Sequence, residues 1–161
     1  MDGSCTNLPL VPRPASPPFL DSSSGPILSG LSPYVAVRCL GSGAFGEAVL
    51  AYHPDRPHYH VVLKIPRGHD AARAAAASRL LKSEASLLRT LHHPRVVPFL
   101  DYVESHDRNF IVTTFVAGGS LADKLRTQKC LSATQAARML LDVLQALEYV
   151  HSKGVLHLDV K

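Results

Sequence analysis

Short apolar runs, separated by glycine, proline and polar residues, dominate the chain from residue 34 onward. These runs are rich in β-branched and aromatic residues, a composition that favours strands. They lie at residues 34–40, 47–53, 59–65, 96–103 and 110–116. Glycines join the first two runs, so that the pattern predicts a hairpin at the start of a sheet.

Three segments follow a helical pattern instead. Residues 71–91 contain neither glycine nor proline and are rich in Ala, Leu and Arg. Ser120 begins a short second helix, and Ser132 with Gln135 forms a capping box for a longer one that ends near residue 152. The order of elements predicts an α+β fold, in which a small antiparallel sheet carries one helix and a helical region then begins.

The first 33 residues differ from the rest of the chain. They hold seven of the twelve prolines and seven serines, with few charges. Such a segment cannot bury enough apolar surface to offset its ordering entropy, which predicts a disordered leader over 1–33. The P-x-x-P pattern at 14–17 matches ligands of SH3 domains, although a proline-rich tail without a partner explains it more simply.

Composition excludes several classes of protein. The chain has 161 residues, of which 46% are hydrophobic and 19% charged, unlike a highly charged disordered chain. No apolar run approaches the roughly 20 residues that span a bilayer, so we expect no membrane association. Three cysteines without C-x-x-C spacing fit reduced thiols, which favours a cytoplasmic location, with the nucleus as an alternative.

The basic charge does not by itself indicate nucleic acid. The net charge is +4, and residues 67–95 hold six Lys or Arg against two acids. A solvated helix face explains this stretch more simply, so no nucleic-acid partner is predicted. Nine histidines show no spacing typical of metal ligands, and no metal site is assigned to this chain.

Residues 41–46 read G-x-G-x-x-G. A dinucleotide-binding fold would continue with a helix, whereas here residues 47–52 have the pattern of a strand. A glycine-rich turn between antiparallel strands can lay backbone N–H groups over phosphates. A plain glycine-rich hairpin remains the alternative.

Lys64 and Glu84 are charges in apolar surroundings. Lys64 lies inside an apolar strand, and Glu84 is the only acid on a helix stripe of leucines. The stripe comprises Leu80, Leu87, Leu88 and Leu91. Because burying an unpaired charge is costly, the two are predicted to form an ion pair. The alternatives are a lysine that reaches solvent and a partly exposed glutamate.

The last residues, His157-Leu158-Asp159-Val160-Lys161, place a carboxylate and a cation two positions apart. A carboxylate can accept a hydroxyl proton, and a cation can hold a phosphate. Alone, this pattern could equally be a polar tail.

Taken together, these motifs resemble the eukaryotic protein kinase family in its Ser/Thr form. They occur in family order over 34–161: the glycine loop, the third-strand lysine, the helix-C glutamate, a hinge at 114–116 followed by Gly118-Gly119-Ser120, and a variant of the H-R-D-L-K loop. The resemblance implies a kinase N-terminal lobe at 34–116, with five antiparallel strands and helix C. The hinge and the first helices of a C-terminal lobe would occupy 117–161.

The resemblance also implies roles. Lys64 would hold the α- and β-phosphates of ATP, Glu84 would orient Lys64, Asp159 would be the catalytic base and Lys161 would assist the γ-phosphate. A lysine two residues after the aspartate is typical of kinases that phosphorylate serine or threonine of a protein substrate. His157 would pack in the core beneath the loop. The implied nucleotide-binding residues are Leu40, Gly41, Ser42, Gly43, Ala44, Phe45, Gly46, Ala48, Val62, Lys64, Thr113, Thr114, Val116 and Ser120.

Three residues depart from the family pattern. Ala48 and Val62 exchange the family's valine and alanine, which roughly conserves the volume of the adenine pocket. Leu158 replaces the arginine that pairs with a phosphorylated activation loop, so activity is not expected to need that phosphorylation.

The sequence given stops before the family's catalytic-loop asparagine and D-F-G aspartate, which hold Mg²⁺. The isolated chain is therefore expected to be a poor catalyst. A non-catalytic truncated kinase that acts as a binding or regulatory module is the alternative. The apolar face of the last helix would then be open to a partner.

Overall fold

The computed structural model describes residues 30–43, 46–66, 71–105 and 108–160, with only the backbone for 71–73. Most of the predicted leader, together with Ala44, Phe45 and Lys161, lies outside these ranges. Leu31, which the composition places in the leader, is buried in the core of the sheet.

All five strands are antiparallel and form one sheet in the order β1-β2-β3-β5-β4. Their bounds are β1 Val35–Gly43, β2 Gly46–His53, β3 Arg56–Ile65, β4 Phe99–Glu104 and β5 Asn109–Thr114. This confirms the predicted strands, although β1 ends three residues later, β3 begins three residues earlier and β4 begins three residues later than expected. Pro98 immediately precedes it, and a proline has no N–H to donate to a strand ladder.

The two faces of the sheet are used differently. On one face, alternate residues of β2, β3 and β5 form the main core, where Val49, Leu63 and Phe110 are fully buried. On the other face, Ile111 packs against the first helix, α1 Ala71–Leu88. This second face also carries Lys64, so that α1 and the lysine share one side of the sheet.

The face of α1 that meets the sheet agrees only in part with the predicted stripe, of which Leu88 packs against the sheet and Leu91, just after the helix, is buried. Leu80 and Leu87 were expected to be buried but are 73% and 49% exposed, whereas Leu81 and Ala85 are buried. Leu81, Ala85 and Leu88 also repeat at helical spacing. The small alanine allows the helix backbone to approach the sheet, which favours this face over the leucine stripe.

The remaining helices, α2 Leu121–Gln128 and α3 Ala133–Ser152, begin where the sequence predicts. Both have complete capping boxes, in which Ser120 and Ser132 accept hydrogen bonds from the backbone N–H groups of Asp123 and Gln135. The expected apolar face of the last helix is present on the surface. It comprises Leu140, Leu141, Val143 and Leu144. Within the described ranges, no helix is long and apolar enough to cross a membrane.

Candidate active site

A cleft of about 370 Å³ opens between the glycine turn and α1, on the face of the sheet that carries Lys64. Its lining combines glycines and small or branched apolar side chains with a few polar groups. The lining residues are Gly41, Gly43, Gly46, Glu47, Ala48, Val62, Lys64, Glu84, Leu88, Ile111 and Thr113. This volume lies within the range of small-molecule sites in proteins.

An ion pair between Lys64 and Glu84 lies in this cleft. The Nζ atom of Lys64 donates to both carboxylate oxygens of Glu84, at 2.6 and 2.7 Å, so the predicted pair is present. Both side chains are part-buried. Because an ammonium group has three donors, Lys64 can hold an anion in the cleft while it stays paired with Glu84.

The glycines of the turn serve two different needs. Gly46 has φ +134°, and a Cβ at this position would overlap the carbonyl oxygen of Ile65. Gly46 is therefore required by the close approach of β2 to β3. A Cβ at Gly41 or Gly43 would meet no atom within 4 Å, so these two keep the backbone over the cleft bare. A backbone without side chains can approach a ligand closely.

Apolar side chains form the wall behind the ion pair. Ala48 lies opposite Lys64 on the neighbouring strand, and Val62 lies opposite Thr113. Sequence reasoning identified these residues but missed Glu47, Leu88 and Ile111 among the lining residues. Glu47 directly follows the glycine motif, which could have indicated it, whereas the other two depend on how α1 packs on β5.

The predicted hinge residues lie beside the cleft and not in its lining. The backbone N–H of Thr114 donates to the carbonyl of Pro98 at 3.1 Å, so that donor is already used. Val116 is exposed, and neither it nor Leu40 nor Ser42 lines the cleft. The backbone position of this segment is fixed by a further bond, from the N–H of Phe115 to the carbonyl of His60.

Ser120 uses its hydroxyl group within α2. The hydroxyl donates to Oδ2 of Asp123 at 2.6 Å and accepts the N–H of the same residue at 3.1 Å. The Ser120 hydroxyl, and after it the Ser120 backbone N–H, hold the pKa of Asp123 below its ordinary value of 3.8. The Ser120 side chain thus caps α2.

Asp159 lies in the irregular segment after α3 and is exposed. Its N–H donates to Nδ1 of His157 at 3.3 Å, and Leu158 between them has φ +60°. His157 is exposed, which corrects the expectation that it packs in the core. Asp159 does not line the cleft around Lys64.

A contact that sequence reasoning missed connects α3 with the segment between α1 and β4. The hydroxyl of Tyr149 accepts the N–H of His92 at 2.8 Å, and its ring stacks on His93 with centroids 4.9 Å apart. Arg95 and Asp142 form an ion pair at 3.1 Å. No local pattern indicates these contacts, because the partners lie about 50 residues apart. They set the position of α3 relative to the end of α1.

No group of three or more His, Cys, Asp or Glu side chains that could hold a metal ion is found among the described residues.

Known proteins are similar to this chain in sequence. Calcium/calmodulin-dependent protein kinase type 1B of Homo sapiens is 34% identical over 122 residues, which is 76% of this chain and 34% of the relative. Serine/threonine-protein kinase cds1 of Schizosaccharomyces pombe is 31% identical over 143 residues, 88% of this chain and 31% of the relative. The chain thus spans about a third of the length of these relatives.

Solved structures share the fold. Rad53 1-466 in complex with AMP-PNP has a TM-score of 0.68 at 24% identity, covering 80% of this chain and 33% of that one. The PknI kinase domain of Mycobacterium tuberculosis has a TM-score of 0.65 at 28% identity, covering 81% of this chain and 53% of that one. The family model of the protein kinase domain matches residues 34–161. Because that match takes in the whole sheet and all three helices, the chain belongs to the protein kinase domain family.

Proposed function

We propose that this chain forms the ATP-binding part of a protein serine/threonine kinase, an enzyme that transfers the γ-phosphate of ATP to protein hydroxyl groups. The observation that carries the proposal is the Lys64–Glu84 pair in a cleft beneath a bare glycine turn. A cation held at one end of an apolar cleft suits a ligand with a flat base and a charged phosphate chain.

Different residues of the cleft would bind different parts of ATP. Lys64 would hold phosphate oxygens, and Glu84 would fix the direction of its ammonium group. The backbone of the glycine turn would cover the phosphates, as N–H groups of such loops do. Ala48 and Val62 would contact the adenine ring, and Thr113 would border the back of the pocket.

The other predicted site residues have supporting roles. The carbonyl of Thr114 and the backbone of Val116 would bind the edge of adenine, and Ser120 would lie near the ribose. Asp159 is proposed as the base that accepts the proton of the substrate hydroxyl. The remaining proposed contacts are those of Leu40, Ser42, Ala44 and Phe45 in the glycine turn and of Lys161 at the γ-phosphate. Mg²⁺ would neutralise phosphate charge when bound, and we assign it no ligand among the described residues.

Binding of a fluorescent ATP analogue to the full chain tests the proposal. Lys64→Met removes the cation from the cleft and should weaken binding tenfold or more, because a hydrogen bond to a charged group contributes about 1.5–3 kcal/mol. Lys124→Met is the matched control: it removes the same charge from α2, where methionine and lysine have similar helix propensity, and should change affinity by less than about twofold. Absence of binding by the unmodified chain, or equal effects of the two substitutions, would contradict the proposal.

A non-catalytic binding module is the second candidate. The exposed apolar face of α3 at Leu140, Leu141, Val143 and Leu144 favours it, because contiguous apolar patches often mark interaction sites. Transfer of labelled phosphate from Mg-ATP to serine or threonine of a generic protein substrate separates the two candidates. Transfer that is lost in Asp159→Asn supports the enzyme, whereas nucleotide binding without any transfer, also by a longer chain that includes the family's catalytic-loop asparagine and D-F-G aspartate, supports the module. We place either protein in the cytoplasm or nucleus, consistent with the free thiols of Cys39 and Cys130.

A further inference from the structure

Helix α1 meets the sheet along a narrow apolar seam. Leu81 and Ala85 are buried against Ile111, and Leu88 packs beside them, whereas Leu80 and Leu87 are exposed. On the sheet side, Phe99 and Tyr102 join Ile111, so the seam sets which face of α1 meets the sheet, and contacts on its two flanks add to what fixes the rotation of the helix about its own axis. Rotation matters, because it decides whether the side chain of Glu84 reaches Lys64.

Ion pairs lie on both sides of the seam. At 100° per residue, Lys82 and Glu84 project about 200° apart, one on each flank of the helix. Glu84 binds Lys64 on β3, and Nζ of Lys82 donates to Oε2 of Glu104 on β4 at 2.9 Å. Strand β5 lies between β3 and β4 in the sheet. The two ion pairs therefore hold α1 from opposite sides of β5.

A third contact supports the flank that carries Lys82. The guanidinium group of Arg89, two turns further along, lies 5.9 Å from the centroid of the Phe99 ring. Phe99 and Glu104 are the first and last residues of β4, so Lys82 of α1 and Arg89, the residue directly after α1, contact both ends of this strand. The carboxylate of Glu104 also raises the pKa of Lys82, which favours its charged form.

We propose that Lys82, through its ion pair with Glu104, is a positioning residue of the nucleotide site: it fixes the rotation of α1 so that Glu84 meets Lys64. This inference rests on the proposed ATP-binding function. The side chains of Lys82 and Glu104 are 61% and 57% exposed, so the pair is weak and sensitive to salt. Loss of this pair should therefore weaken nucleotide binding less than loss of Lys64 itself.

Charge reversal and charge exchange test the proposal on the full chain. Lys82→Glu and Glu104→Lys each place like charges between α1 and β4. Each should weaken binding of the fluorescent ATP analogue about three- to fivefold at low salt. The double variant with both charges exchanged should return affinity to within about twofold, and 1 M salt should reduce all differences. Arg138→Glu reverses an exposed charge on α3, away from the cleft, and serves as the control, with no expected change.

Amide hydrogen exchange without nucleotide gives a second readout. Exchange of the N–H groups at 81–88 should increase in each single variant and return in the exchanged double variant, while β5 stays protected. Full ATP affinity in both single variants overturns the proposal, as does a folded double variant that restores neither readout. If the unmodified chain binds no nucleotide, the proposed function fails, and amide hydrogen exchange then tests the positioning role by itself. Unchanged protection at 81–88 in the single variants would rule that role out.

Discussion

The sheet and the last two helices bury their apolar residues to very different extents. In the sheet, Phe110, Leu63 and Val49 are fully buried. In α2 no residue is buried, and in α3, which the structure describes completely, Val150 alone is. The cleft thus lies in a region with its own apolar core, whereas the region that carries Asp159 has none of comparable size.

The sheet and the last two helices are therefore stabilised in different ways. The sheet is held by burial of side chains that are distant in sequence. Helices α2 and α3 owe their ends to local signals, namely the capping boxes at Ser120 and Ser132. Their position relative to the sheet depends on the contacts of Tyr149 and Asp142 with the segment after α1.

Truncation of one large side chain in each region should give the largest contrast. Phe110→Ala opens a cavity in the core of the sheet and should reduce the free energy of unfolding by about 3–5 kcal/mol. Leu144→Ala removes an exposed side chain from α3 and should change it by no more than about 0.5 kcal/mol. Urea denaturation followed by circular dichroism measures both.

A large loss of stability in Leu144→Ala would break this comparison, because it would show that the α3 face is covered in solution. A loss in Leu144→Ala that grows with protein concentration would point to self-association through that face. A stable Phe110→Ala variant would show that the sheet core tolerates repacking around the cavity.

Removal of the Tyr149 hydroxyl tests the connection between the two regions. Tyr149→Phe deletes the acceptor for the N–H of His92, and a typical intramolecular hydrogen bond contributes about 0.5–1.5 kcal/mol. Amide exchange of His92 and of the end of α3 should increase, while β5 should keep its protection. Tyr59→Phe is the matched control, since it removes a tyrosine hydroxyl that lies 3.3 Å from the hydroxyl of Thr114, far from α3 in sequence. Faster exchange in β5 would show that the sheet is not independent of α3.

Local patterns predicted most of the fold. Short apolar runs rich in β-branched and aromatic residues located the five strands, and side-chain caps located the start of α2 and α3. The Lys64–Glu84 pair was also predictable, because two opposite charges in apolar segments need each other. The glycine motif placed the turn correctly, since the sequence after it favours a strand.

Tertiary arrangement accounts for what the sequence did not predict. In α1, two sets of apolar residues repeat at helical spacing. The set that contains Ala85 packs against the sheet, and Leu80, which belongs to the other set, is exposed. The contact of Tyr149 with His92 and the pair of Lys82 with Glu104 join residues that are far apart in sequence. Local sequence patterns therefore do not predict these contacts. The lining of the cleft by Leu88 and Ile111 has the same origin, because it follows from the packing of α1 on β5.

The smallest expected effect concerns the cap of α2. Hydrogen bonds from the Ser120 hydroxyl and then the Ser120 N–H, with Arg126 adding attraction, lower the pKa of Asp123 in the folded chain. Because the folded pKa lies below the ordinary 3.8, the stabilisation of α2 is present above that pH and is lost as the pH falls through the folded value. NMR titration of the Asp123 carboxyl should give a midpoint below 3.8, and Ser120→Ala should move it up further than Arg126→Gln does. A midpoint at or above 3.8 in the unmodified chain would show that the capping box is not closed in solution, and α2 would then lack the local signal that sets it apart from the sheet.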